Sequence, residues 1–473
     1  MSEDILNLSL TALAASIARR EVTSESAVQA CLDRIALWQP SRNCFVEVNG
    51  DTALEQARAC DRHLAAGGKA QGSMFGVPLA HKDMFYRPGV GATGGTEIRR
   101  DWIASTTATA LSRIDQEGAI QLGRLSMSEF AAGPTGHNIH YGHCRNAYNR
   151  DHISGGSSSG SGVAVSARLA YGALGSDTGG SVRLPAAVNG VLGLKPTYGR
   201  VSRYGAMPRS WSLDHVGVLA RTASDCAVLM NAIAGPDKND STASSRPVPD
   251  YLAALGQSIK GLRVGVPSIE SLGYPIEPDV VAGLETSLAV LRELGAIIVP
   301  VQMPDMRSVF FVAETIGKCE AATMHRDWLK SRPQDYSPQV RSRIEVGLTI
   351  PATYYLDALR LRKQLTEQFL TNTMANVDVL QMPVMCGRVP SIAETDVDGR
   401  GEKVRALVSR LTTLTRPINL FGLPSISIPC GFDPLGLPLS FQLVGFPFSE
   451  ADLLNVAHAY QGLTDFHLHE PTL

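Results

Sequence analysis

Residues 155–162 are only glycine and serine, and they run straight into Val163-Ala164-Val165-Ser166-Ala167-Arg168-Leu169. A Gly/Ser run by itself signals a flexible linker. A linker does not feed directly into an apolar segment that reads as a buried helix, so this stretch belongs to folded structure. A second glycine-rich segment, Gly175-Ser176-Asp177-Thr178-Gly179-Gly180-Ser181-Val182-Arg183, follows closely. Pro185 after it suits the first turn of another helix.

Around these segments, strand-like and helix-like stretches alternate. Gly76-Val77-Pro78-Leu79-Ala80 is an apolar run that ends in His81-Lys82-Asp83. Leu262 to Val266 reads as a strand, and a helix follows from about Asp279 with Val280, Leu284, Leu288 and Leu291 on one face. Ala296 to Val301 reads as the next strand. This alternation implies βαβ units in an α/β fold, with a central mixed, mostly parallel twisted sheet flanked by helices. Ser425–Ile428 and Ser440–Val444 flank Asp433-Pro434-Leu435-Gly436 and read as a hairpin. Residues 1–70 look helical, with Thr23 or Ser24 as N-cap and Val28, Cys31, Leu32 and Ile35 at helical spacing. Residues 236–248 form a polar connector that reads as a surface loop. The chain is therefore expected to form one large domain over residues 1–473.

Composition excludes several classes of function. With 473 residues, 44% of them hydrophobic, the chain can bury a large core. A net charge of −2 without Lys/Arg runs argues against a nucleic-acid partner. No apolar stretch is long enough for a membrane span. The acidic Met1-Ser2-Glu3-Asp4 start is unlike a secretory signal, and eight scattered cysteines read as reduced thiols, so a cytoplasmic location is expected.

The Gly/Ser segments fail as phosphate sites. Neither Lys-Ser nor Lys-Thr follows the last glycine, and Val165 stands where a dinucleotide fingerprint needs its third glycine. Gly156-Ser157-Ser158-Ser159-Gly160 matches a nucleophile elbow, which would make Ser158 the nucleophile, with Asp214 and His215 or Asp465 and His467 as partners. The preceding Tyr148-Asn149-Arg150-Asp151 is too polar for the strand an elbow requires. Read together, the two segments favour Ser181, because successive amides of a glycine turn converge to make an oxyanion hole. No histidine lies near it in sequence. Ser–Lys chemistry is the alternative to Ser–His, and Lys82 ends an apolar run whose burial would lower its pKa toward neutrality. Alternation along that strand should turn Asp83 away from Lys82. His137, His140 and His143 lie in a glycine-containing loop and do not read as a metal site.

Residues 154–205, from Ser154-Gly155-Gly156-Ser157-Ser158 through Asp177-Thr178-Gly179-Gly180-Ser181 to Lys195-Pro196-Thr197-Tyr198-Gly199-Arg200, resemble the signature of the amidase signature family. The likeness extends from the strand ending at Asp83 to Gly422-Leu423-Pro424-Ser425. The resemblance implies a catalytic set of Ser181 as acyl-forming nucleophile, Ser157 as bridging serine and Lys82 as neutral base. Lys82 lies 75 residues before Ser157, and Ser157 lies 24 before Ser181, as the family pattern requires. It further implies an oxyanion hole from the amides of Thr178, Gly179, Gly180 and Ser181, with Asp177 and Arg183 bracing the loop and Asp214 in support. No metal or organic cofactor is implied.

The expected reaction is hydrolysis of a C–N bond in a small amide, carbamate or urea-like substrate. The alternative is the glutaminase component of a tRNA-dependent amidotransferase complex. Thr415-Arg416-Pro417 looks more like the free-standing enzymes, and residues 409–416 lack the acid expected to grip glutamine's amino group. Substrate-binding candidates are Met127, Gly133, His137, Asn138 and Leu184, with Phe130 and Met207 also possible pocket residues. Leu184 stands where a polar residue would help hold an acidic acyl group, which favours a neutral or apolar acyl side. Trp328, Tyr354 and Tyr355 are candidates for selectivity. The partner expected is a small molecule, with a homodimer possible through the helical N-terminus.

Overall fold

The computed structural model describes residues 2–395 and 401–473. Four helices, Ser2–Asn7, Leu10–Ala18, Ser24–Arg42 and Gly50–Ala65, build the N-terminal region, and a short strand, β1 (Phe45–Val48), interrupts them. The Thr23 side chain caps the third helix by accepting from Ser26 N at 3.1 Å. Val28, Cys31 and Ile35 bury its inner face.

The remaining strands are β2 (Pro78–Lys82), β3 (Ile120–Leu125), β4 (Gly172–Asp177), β5 (Leu192–Lys195) and β6 (His215–Ala220) in the first half. The second half adds β7 (Arg263–Pro267), β8 (Ile297–Val301), β9 (Val379–Pro383), β10 (Ser425–Phe432) and β11 (Pro438–Val444). They form one 11-stranded sheet in the order β1-β3-β2-β4-β6-β5-β10-β11-β9-β7-β8.

The sheet is mixed, but its parallel share is smaller than the alternation of elements implied. Parallel ladders are confined to β3-β2-β4 toward one edge and β9-β7-β8 at the other. Every pairing from β4 through β6, β5, β10 and β11 to β9 is antiparallel. Connection length accounts for two of these pairings. Helical crossovers return the chain in the same direction, as the helix Pro278–Glu293 does between β7 and β8. The turn at 433–437 can only reverse it, and β10 and β11 pair as the expected hairpin.

Strands β2, β4, β5, β6 and β9 are buried along their whole length, whereas the edge strand β8 is half-exposed. Central strands covered on both faces carry no alternating polar pattern, which is why β2 and β4 read as continuous small or apolar runs. The Gly/Ser segment becomes the start of a fully buried helix, Ser159–Ser166. A Cβ on Gly160 would sit 2.3 Å from Cys44 O and 2.7 Å from Ser126 N. Only small residues let this helix lie so close to the backbone beside β3. Among the described residues, no helix is long and apolar enough to cross a membrane.

Candidate active site

Three strand or helix ends meet at one point. Lys82 is the last residue of β2, Asp177 is the last of β4, and Ser157 lies just before the buried helix. Lys82 Nζ lies 2.7 Å from Ser157 Oγ and 2.8 Å from Ser176 Oγ, and all three residues are buried. Burial lowers the Lys82 pKa to about 7, against the upward pull of Asp177 and Asp214 and with further help from Arg209. Asp83 faces the other way, bonded to Arg124 and Thr93.

Ser176 was not anticipated from the sequence. It is the one hydroxyl in a strand otherwise made of Gly, Ala, Leu and Asp, and that was the available signal.

The two Gly/Ser segments interlock through backbone bonds. Ser158 N donates to Ser181 O at 3.3 Å, and the peptide between Gly156 and Ser157 is cis. Ser158 Oγ donates to Ser176 O and accepts from Ser176 N, both at 3.2 Å. Its hydroxyl is thus a clip between the helix and β4, and the elbow reading loses its nucleophile. Ser181 is half-buried, at the end of the loop that follows β4.

Asp177 shapes that loop. Its carboxylate accepts from Gly180 N at 2.7 Å, Val182 N at 3.1 Å and Arg183 Nε at 3.1 Å. Burial pushes this carboxyl upward, but the charge and hydrogen bonds of Arg183 outweigh it and hold the group well below the usual carboxylate range. Arg183 reaches on to Thr415 O at 2.9 Å, Asn419 Oδ1 at 2.7 Å and Gln442 Oε1 at 2.9 Å. Removing one partner of so buried a pair costs about 3–5 kcal/mol, because the other charge is left uncompensated. Asp214 braces the same loop by accepting from Thr178 Oγ1 at 2.6 Å.

The Gly180 amide is therefore committed to Asp177, which corrects the four-amide oxyanion hole expected from the sequence. The amides of Thr178, Gly179 and Ser181 donate to no group among the described residues and are the ones left for an oxyanion.

Of the substrate-contact candidates, only Gly133 lies open at the site: it is half-buried, and a Cβ there would sit 3.4 Å from Arg343 Nη1 and from Ser128 Oγ. Leu184 is wholly buried in a core patch with Ile153, Val188 and Leu437, so it cannot set the polarity of an acyl pocket. Met127 is core, and its carbonyl accepts from Asn138 Nδ2 at 2.9 Å. Asn138 spends its oxygen on His140 N and Tyr141 N, as a turn-former. His137 Nε2 lies 3.0 Å from Thr395 Oγ1. Phe130 and Trp328 stack at 5.5 Å, Met207 is buried, and Tyr355 donates to Glu320 at 3.1 Å. Tyr354 is exposed.

A cavity of about 470 Å³ opens behind the site, lined in part by Met84, Ser176, Asp214, His215 and Trp211. Neither Ser157 nor Ser181 lines it, so it meets the buried lysine's hydrogen-bond partner rather than the proposed nucleophile.

The family model "Amidase" matches residues 26–454. The glutamyl-tRNA(Gln) amidotransferase A chain of Methylococcus capsulatus is 39% identical, covering 98% of this chain and 98% of its own length. That of Moorella thermoacetica is 37% identical, covering 96% of each. Among solved structures, a chain from a vestigial complex tied to the origins of an s-triazine catabolic enzyme superposes with a TM-score of 0.88 at 31% identity, covering 96% of this chain and 98% of its own. The corresponding amidotransferase chain of Thermotoga maritima superposes with a TM-score of 0.79 at 29% identity, covering 98% and 94%. With its signature segments, its sheet and nearly its whole length accounted for in this way, the chain belongs to the amidase family, enzymes that act on carbon–nitrogen bonds.

Proposed function

We propose that this protein cleaves an amide through an acyl-enzyme on Ser181. The observation that carries the reading is the buried contact of 2.7 Å between Lys82 Nζ and Ser157 Oγ, with the loop of Ser181 bonded to the same segment. Neutral Lys82 takes the Ser157 proton while Ser157 takes that of Ser181, and Ser181 Oγ attacks the carbonyl carbon. The developing oxyanion receives the amides of Thr178, Gly179 and Ser181. The proton then travels back along the relay to the leaving nitrogen, since an amine leaves readily only when protonated. Water hydrolyses the acyl-enzyme and restores Ser181.

This chemistry serves two destinations for the released nitrogen. Thr415-Arg416-Pro417 and the missing acid at 409–416 point to a free-standing amidohydrolase. The whole-length similarity to the amidotransferase chains, at 37–39% identity, favours the second reading, a glutaminase working inside a complex. The test is to purify the chain alone and measure ammonia release from glutamine and from a panel of amides, carbamates and urea-like compounds. Turnover of the panel without glutamine supports the free-standing enzyme. Turnover confined to glutamine supports the glutaminase of a complex.

Gly180 offers a check on the oxyanion loop. Its φ is +123°, and a Cβ would sit 2.3 Å from Thr415 Oγ1. Gly180→Ala is expected to lower kcat about 10²- to 10³-fold, because the clash displaces the neighbouring Gly179 and Ser181 amides that are left for the oxyanion. Steady-state kinetics on any accepted amide reads this directly, and a near-normal kcat would place the hole elsewhere.

A further inference from the structure

Three arginines from distant parts of the chain converge beside the nucleophile loop. Arg416 opens the helix Arg416–Phe421, Arg343 lies on Pro338–Glu345, and Arg209 lies in the loop before β6. A Cβ on Gly179 would lie 3.3 Å from Arg416 Nε and 3.4 Å from its Cζ. Gly179 is two residues from Ser181, a span of at most about 7 Å. Arg343 Nη1 stands as close to Gly133 and donates to Ala132 O at 2.7 Å.

These guanidiniums are short of partners. Arg416 Nε is buried without a hydrogen bond, and its Nη2 makes only a long one of 3.4 Å to Thr412 Oγ1. All three residues are half-buried. Burial, the other guanidiniums and incomplete compensation by acids lower Arg209 and Arg343 to about 10 each. Glu314 is the carboxylate that acts on all three. It is already occupied: its Oε2 accepts from Lys318 at 2.8 Å, and its Oε1 lies 3.9 Å from Arg416 Nη1. The other nearby acid, Asp214, is taken by Thr178, Arg209 N and Ser210 N.

We propose that Arg209, Arg343 and Arg416 form the acyl-group subsite, and that it takes an amide whose acyl portion ends in a carboxylate and carries no ammonium group. This rests on the amidase reading of Ser181. Guanidinium forks match a carboxylate in two parallel hydrogen bonds, and a half-buried cluster of them gains most from an anion that completes their bonding. A zwitterionic amino acid would bring its ammonium among these cations and find Glu314 and Asp214 engaged. An anionic acyl group replaces the neutral one that Leu184 suggested, because Leu184 faces the core while the arginines lie beside the loop.

The test compares glutaramate, the neutral pentanamide of the same carbon-chain length, and glutamine as primary-amide substrates. Wild type is expected to prefer glutaramate over pentanamide by at least 100-fold in kcat/KM, and over glutamine by at least 10-fold. Arg416→Met and Arg209→Met should each shrink the glutaramate-to-pentanamide ratio at least 10-fold, mainly through KM, and Arg416→Lys should retain part of it. Equal use of glutaramate and pentanamide, glutamine equal to or better than glutaramate, or equal losses on both substrates in the Met variants would overturn the proposal. Calorimetric binding of glutarate decides the subsite without turnover: binding that Arg416→Met weakens at least 10-fold supports it, and binding that is absent or unchanged in the variant overturns it. Hydrolysis of none of the three amides alongside arginine-dependent glutarate binding would sink the hydrolase reading and leave the subsite standing.

Discussion

Ser181→Ala is expected to lower kcat by at least about 10⁴-fold, the scale seen when the nucleophile of a serine-hydrolase unit is removed. Its melting temperature should stay within about a degree of wild type. The second expectation gives the first its meaning. The loop is shaped by bonds to the Gly180 and Val182 amides and by the backbone contact of Ser158 N with Ser181 O. The Ser181 hydroxyl takes part in none of them, so its removal takes away a reacting atom and leaves the scaffold. A sulfonyl fluoride should add its mass to wild type, with the adduct on the peptide containing Ser181, and should leave the variant unlabelled. More than a few per cent residual activity, or labelling elsewhere, would move the nucleophile to another residue.

Lys82 carries the second large effect. The rate should rise with pH through an apparent pKa of about 7, because the neutral amine is the proposed base and burial lowers its pKa to that value. That pKa belongs to the coupled lysine–serine unit. Lys82→Met should abolish this limb and lose at least about 10³-fold in kcat/KM toward an amide. Toward an ester of the same acyl group it should lose markedly less, since an alkoxide needs less help from an acid to leave. Equal losses on both would sink the leaving-group role.

Stability should follow pH in the same sense as the rate, while the substitution should raise it rather than lower it. Between pH 7 and the ordinary lysine value, the unfolded chain binds the proton that the folded one does not, so wild-type stability rises with pH across that window. The methionine variant lacks this slope and should be more stable at neutral pH, by up to about 4 kcal/mol before the two lost contacts to serines are subtracted. Paired melts at pH 7 and pH 9.5 test it.

The residues of the proposed catalytic set could be picked out because they lie in contiguous motifs. A strand that ends in lysine and two glycine–serine segments survive as patterns whatever surrounds them. The hairpin at β10 and β11 and the crossover from β7 to β8 were legible for the same reason: each is decided within about forty residues. The antiparallel middle of the sheet was not, since β5 pairs β10 from more than two hundred positions away. Met127, Asn138 and Leu184 were misplaced because sequence proximity to a motif does not say which way a side chain points. The arginine cluster was invisible for a stronger reason. Arg209, Arg343 and Arg416 come from a loop and two helices, and each alone resembles an ordinary surface charge.

The bracing of Arg183 has a consequence for how the protein is made. Its guanidinium is bonded to Thr415, Asn419 and Gln442, the last of them 259 residues further along the chain. At about 5–20 residues per second, the ribosome needs roughly 10–50 s to travel that distance. Throughout this interval the nucleophile's loop exists as sequence, while the groups that complete its scaffold are still being polymerised. A nascent chain halted before Gln442 would carry Lys82, Ser157 and Ser181 and still be inert. Competence for catalysis would then arrive late, when the final hairpin docks into the middle of the sheet, so that unfinished chains hydrolyse nothing.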